Sequence, residues 1–100
     1  MIPRGTTPNQ IFTVDADITQ AEVVYLTYRQ NNRNVLEKDK DDLEITKDSV
    51  SFRMSQEDSL KFDRNGAIAI QIRARFSDNT AIKSNIVQTS SDYLLKEGVI

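Results

Sequence analysis

The chain has 100 residues, with 13 basic and 15 acidic side chains for a net charge of −2, and 38% of it is hydrophobic. That is one domain of ordinary size, too apolar for a disordered chain, with no long-range pull toward nucleic acid or an anionic membrane. Histidine and cysteine are both absent, which removes disulfides, thiolate metal sites, the commonest general base and every Ser–His or Cys–His nucleophile pair.

Residues 1–8 carry both prolines and Gly5 and read as an extended N-terminal arm, with a single domain over 9–100. Gln10–Val14 is the first strand, with Gln10, Phe12 and Val14 on one face and Ile11 and Thr13 on the other. Ala21–Gln30 is a longer strand with apolar or aromatic groups on both faces: Val24, Leu26 and Tyr28 against Val23, Tyr25 and Thr27. That pattern suits a central strand or one that meets a neighbouring chain. Asn31-Asn32-Arg33 is a turn, since asparagine tolerates the left-handed backbone, and Asn34–Lys38 returns as the hairpin partner.

The charged loop Asp39-Lys40-Asp41-Asp42 leads to two short strands, Leu43–Thr46 and Ser49–Met54, around a Lys47-Asp48 turn. Ser55–Leu60 breaks the alternation. The Ser55 hydroxyl is placed to cap a helical turn with Glu57 and Asp58 in its first turn, crossing between two sheets. Ala67–Phe76 has the clearest pattern, with Ile68, Ile70, Ile72, Ala74 and Phe76 inward and Ala69, Gln71, Arg73 and Arg75 outward. Thr80–Lys83 and Ile86–Thr89 return from it, with a bulge at Ser84-Asn85. The apolar Tyr93–Lys96 and Gly98–Ile100 are expected to dock. The sum is an all-β, immunoglobulin-like antiparallel β-sandwich of about seven strands with one short helical turn near residues 55–60.

Few constellations carry chemistry. No glycine-rich phosphate loop exists, because Gly5, Gly66 and Gly98 lie far apart. No catalytic, cofactor-binding or metal-ligating residue is assigned. The acidic loop 39–42, with Glu37 and Glu44, offers oxygen ligands but departs from calcium-loop spacing, so a solvated turn is the better reading. A calcium site or carboxylate-based hydrolase there is the third-ranked hypothesis. Arg73 and Arg75, with Gln71, form a polar stripe that pairs across strands with Glu22, Glu37 or Glu44 rather than binding nucleic acid. Tyr25 and Tyr28 lie on opposite faces of one strand; one belongs to the core, and the other is a candidate for stacking on a sugar or meeting a partner.

The opening Ile2-Pro3-Arg4-Gly5-Thr6-Thr7-Pro8 with Phe12-Thr13, then Tyr25–Gln30, Leu36-Glu37-Lys38, Ser55–Phe62, Ile70–Arg73 and Leu95–Ile100, in that order, resembles small structural proteins encoded in phages and prophages of Gram-positive bacteria. The arm and β pattern are similar to the immunoglobulin-like N-terminal domains of phage baseplate and receptor-binding proteins. The resemblance implies a tail- or baseplate-associated, non-enzymatic protein found in the host cytoplasm during assembly and then in the virion. Its expected partners are further copies of itself and other phage structural proteins, with no nucleic acid or membrane. The expected contact residues are Pro3 and Arg4 of the arm, Tyr25, Tyr28, and the apolar Leu94, Leu95, Val99 and Ile100. The alternative is a carbohydrate- or host-surface-binding module that uses an exposed tyrosine.

Overall fold

The computed structural model describes residues 1–100. Its strands are β1 (Asn9–Thr13), β2 (Val23–Gln30), β3 (Arg33–Asp39), β4 (Glu44–Ile45), β5 (Ser49–Arg53), β6 (Ala67–Arg75), β7 (Ala81–Lys83) and β8 (Val87–Ser90). The helical turn α1 (Gln56–Leu60) follows β5, and a 3₁₀ turn at Lys40–Asp42 precedes β4. One sheet has the order β1-β5-β4; the other has β3-β2-β6-β7, with β8 also paired to β6. Every named strand pairing is antiparallel. With the strands lettered B, C, C′, D, E, F and G, these are the B-E-D and C′-C-F-G orders of an immunoglobulin-like sandwich that lacks a full first strand. β7 and β8 are two pieces of one edge strand.

Local chemistry sets each boundary. Asn31 and Asn32 both take positive φ, the backbone of the two-residue turn that matches the twist of a hairpin. Ser55 caps α1 as a capping box: its hydroxyl accepts from the Asp58 N–H, and the Asp58 carboxylate accepts from the Ser55 N–H. At the break between β7 and β8, Ser84 keeps the ladder closed. Its N–H donates to the Ile72 carbonyl at 2.9 Å, and its hydroxyl accepts from the Ile72 N–H at 3.0 Å.

The core lies between the sheets and holds Val24, Leu26, Tyr28, Val50, Met54, Phe62, Ile68, Ile70, Ile72 and Ala74. Tyr28 is its centre, with edge-to-face contacts to Phe12, Phe52 and Phe62 at 6.4, 6.2 and 5.7 Å between ring centroids. Three expectations change here. Tyr28 has no exposed surface, so it is a core residue and not a contact residue. The N-terminal segment is part of the fold: Ile2 is buried in the core cluster and bridges Ser91 in parallel. Arg4 is buried too, its guanidinium held by Glu97 and by the Phe62 carbonyl. The C-terminal segment docks through Leu94, half-buried against Gly5, and otherwise through polar groups. Gln56 exchanges both side-chain hydrogen bonds with the backbone of Ile100, while Leu95, Val99 and Ile100 stay exposed.

Candidate functional site

The sandwich is stepped on one side. The three-stranded sheet ends at β1, which has no neighbour on its outer edge, and the other sheet extends past it to β7 and β8. Which backbone groups point out follows from the register. Val14 N–H bonds to the Asp48 carbonyl and Met54 N–H to the Pro8 carbonyl, both continuing the β1–β5 register. Alternation then turns Gln10 and Phe12 toward β5 and leaves the N–H and C=O groups of Asn9, Ile11 and Thr13 facing outward. The same reasoning applies to the other edge. Phe76 bonds Thr80, Ser84 bonds Ile72 and Ser91 bonds Gly66, so Ala81, Lys83 and Gln88 direct their backbone groups away from β6.

The step encloses an apolar groove of about 350 Å³, walled by Val14, Ile18, Ile72, Ile82 and Val87, with Asp15 and Lys83 at its rim. A smaller hollow of about 180 Å³ adjoins it, between Ile11–Thr13 and Ile70–Ile72, Ser84 and Val87. Ile11 is 70% exposed, and Ile86 and Val87 are exposed as well. Ile11, on the outer face of β1, and Ile86 and Val87 on the opposite lip therefore leave aliphatic surface in solvent on either side of the groove.

The remaining edges are shielded. β3 carries Arg33, Glu37, Lys38 and Asp39 and is kinked by the extra residue Val35, seen as the register shift beside Tyr28. β4 is two residues long. Charge, bulges and brevity are the usual protections of an edge strand, and β1, with the uncharged sequence Asn-Gln-Ile-Phe-Thr, has none of them.

Of the residues expected at a contact surface, Tyr25 is exposed on the outer face of the larger sheet. It lies across from Arg73 on β6 and Asp39 on β3, in a shallow hollow shared with Val23, Arg75 and Ala81. Leu95, Val99 and Ile100 are exposed, with Ile100 held against α1 by Gln56, whereas Leu94 is half-buried against Gly5. Pro3 is half-buried beside Arg4. These groups form no single site. Arg75 pairs with Glu22 at 3.7 Å, as the cross-strand reading expects, and Arg53 on the other sheet donates to Thr7.

The carboxylates of the acidic loop are used locally. Asp39 accepts from the Asp41 N–H at 3.0 Å, and Asp42 accepts from the Asp39 N–H at 3.4 Å, closing the 3₁₀ turn. No group of three or more acidic side chains is arranged to hold a metal ion.

Sequence reasoning passed over Ile11, Lys83, Ile86 and Val87 as contact residues, and weighed Asp15, with Asp17, only as a weaker calcium-ligand candidate. The signal at Ile11 is present in the sequence: an isoleucine between Asn9 and Thr13 on the polar face of a strand. Comparisons with protein-family models, known proteins and solved structures return no match.

Proposed function

We propose that this chain is a non-enzymatic structural or assembly module that works through protein–protein contacts at sheet edges. The observation that carries this reading is the unshielded β1 edge beside an apolar groove with Ile11, Ile86 and Val87 exposed on its lips. An open edge is a template for another strand, and apolar side chains beside it supply the favourable burial that edge hydrogen bonds alone lack. The resemblance to small phage and prophage structural proteins supplies a setting: a tail- or baseplate-associated component that binds further copies of itself and other structural proteins. Light scattering on the full chain from micromolar to millimolar concentration tests the self-association. A discrete oligomer is the expected result, and a strict monomer throughout would overturn it.

A second reading rests on Tyr25. The residue is 44% exposed and flanked across the sheet by Asp39 and Arg73, an aromatic platform beside groups that hydrogen-bond hydroxyls. As a carbohydrate-binding module, the protein would bind saccharide through this face and lose that binding in Tyr25→Ala.

A further inference from the structure

We infer that two copies of this chain interlock at the step, the β1 edge of each pairing with the β7–β8 edge of the other about a two-fold axis parallel to the strands. This rests on the assembly reading and names its partner and its geometry.

Shape comes first. In a sheet-to-sheet junction made by two β1 strands side by side, each copy's longer sheet would run under the other's shorter one, and the β7–β8 edges would collide. Turning the second copy about an axis along the strands removes that conflict. Its longer sheet then lies level with the first copy's shorter sheet, so each protruding edge fills the other's notch. The strand position left vacant beside β1 is taken by β7–β8 of the partner, twice, in one isologous contact that closes on itself.

Strand direction agrees. β1 runs toward Asp15 and Ile18, at the end of the groove that also holds Ala74 and Ile82. β6 runs toward the same end, because Ala74 lies near its C-terminus. β7 and β8 are antiparallel to β6 and so run opposite to β1. Rotation about an axis along the strands preserves direction, and β1 meets the partner's β7–β8 antiparallel. Ile11 and Thr13 on one edge and Lys83 and Gln88 on the other hold the outward backbone groups nearest the junction, above the point where Ile2 occupies the end of the β8 edge through the Ser90 carbonyl.

The same rotation preserves height along the strands, so residues that face each other across the groove in one copy meet across the junction. Ile11 and Val87 share the smaller hollow, which brings β1 at Ile11 level with the Ile86–Val87 segment of the second copy; Val87, paired with Ile70 and sharing its inward face, closes over the groove, while Ile11 stands on the outer face of the joined sheet. Asp15 and Lys83 share the rim and form no ion pair within the chain, which places Asp15 opposite the second copy's Lys83, with complementary charge.

The chain has no cysteine, so single thiols can be introduced cleanly. Ile11→Cys and Ile86→Cys proteins are prepared separately and treated with a short bifunctional thiol cross-linker, alone and mixed. Cross-linked dimer is expected in the mixture and not in either protein alone. Dimer from Ile11→Cys alone would show a β1–β1 junction and overturn the interlock. A discrete oligomer with no cross-link in the mixture would also overturn it, while leaving the assembly reading intact on another surface. A monomer at every concentration would overturn both. Fold is held constant by a second pair of variants on the exposed rim: Asp15→Lys and Lys83→Asp each weaken the dimer, and the double variant restores it. Failure of the double variant to recover the dimer, with the fold unchanged by circular dichroism, counts against the junction.

Discussion

Arg4 and Glu97, 93 residues apart in the chain, form a two-pronged ion pair: Nη1 donates to Oε2 at 3.0 Å and Nη2 to Oε1 at 2.8 Å. The Arg4 Nε donates to the Phe62 carbonyl at 2.8 Å, so one guanidinium ties the N-terminal segment to both the C-terminal segment and the loop after α1. The planar fork of arginine suits this task, and lysine would not replace it.

Deleting residues 1–8 is therefore expected to damage the fold rather than trim an appendage. Ile2 is buried in the core, and Ile2→Ala alone should cost about 2–4 kcal/mol. Urea denaturation of the deletion and of Ile2→Ala checks this. A deletion variant with an unchanged midpoint would show that the segment contributes nothing to stability.

Tyr28 crosses the sandwich, its hydroxyl donating to Gln10 Oε1 at 2.8 Å. Tyr28→Phe keeps the ring contacts with Phe12, Phe52 and Phe62 and loses one hydrogen bond, an expected cost of about 1 kcal/mol. Tyr28→Ala empties the centre of the core and should cost about 3–5 kcal/mol. Burial, with a smaller push from the Asp58 charge, raises the Tyr28 phenol well above its ordinary value of 10.0. A raised acid pKa in the folded state means the contribution is intact below about pH 10 and is lost as pH rises beyond it. Ultraviolet titration should show Tyr28 ionising only as the protein unfolds.

Gly66 sits against Gln30, where an added Cβ would lie 2.7 Å from Gln30 Nε2. Gln30 cannot easily yield. It is buried, donates to Ser91 Oγ at 3.0 Å and accepts from the Asp63 N–H at 2.6 Å. Ser91 Oγ in turn donates to the Asp63 carbonyl and accepts from the Gly66 N–H. Gly66→Ala should cost about 1–3 kcal/mol, through a network that is costly when partly satisfied. Thermal unfolding measures it, and because Gly66 does not take positive φ the cost is one of crowding rather than of backbone conformation.

Period-two alternation made the strands legible, since Ile68, Ile70, Ile72 and Ala74 all turn inward, and the Ser55 cap and Asn31-Asn32 turn follow from single-residue chemistry. What alternation cannot express is which strand lies beside which. The step between β1 and β7–β8 is a property of strand order, so the groove and its exposed lips were not visible in the sequence. Arg4 misled for a related reason: near two prolines and a glycine it reads as a flexible arm, and only the distant Glu97 and the Phe62 carbonyl reveal it as buried.

Asp58 joins three elements, and its ionisation sets the response to acid. Burial alone would raise its pKa, but the ammonium of Lys38 at 3.1 Å and the Ser55 N–H outweigh that and hold the carboxyl below its ordinary 3.8. Lys38 also lies over the Phe52 ring, 5.8 Å from its centroid, so this ion pair links β3, α1 and β5. The hydrogen bonds from Arg4 likewise hold Glu97 below its ordinary 4.5. A carboxyl lowered in the folded state contributes stability that is present above its unfolded value and disappears as pH falls through the native one. Stability should therefore be level from neutral pH down to about 4.5 with respect to these two groups, then decline. In Asp58→Asn the neutral-pH stability is lower and the decline below pH 4 is shallower, because the substituted side chain has no proton to gain. Urea midpoints at several values between pH 2 and pH 7 measure both effects. Parallel acid limbs for the variant and the original protein would show that Asp58 does not govern the transition.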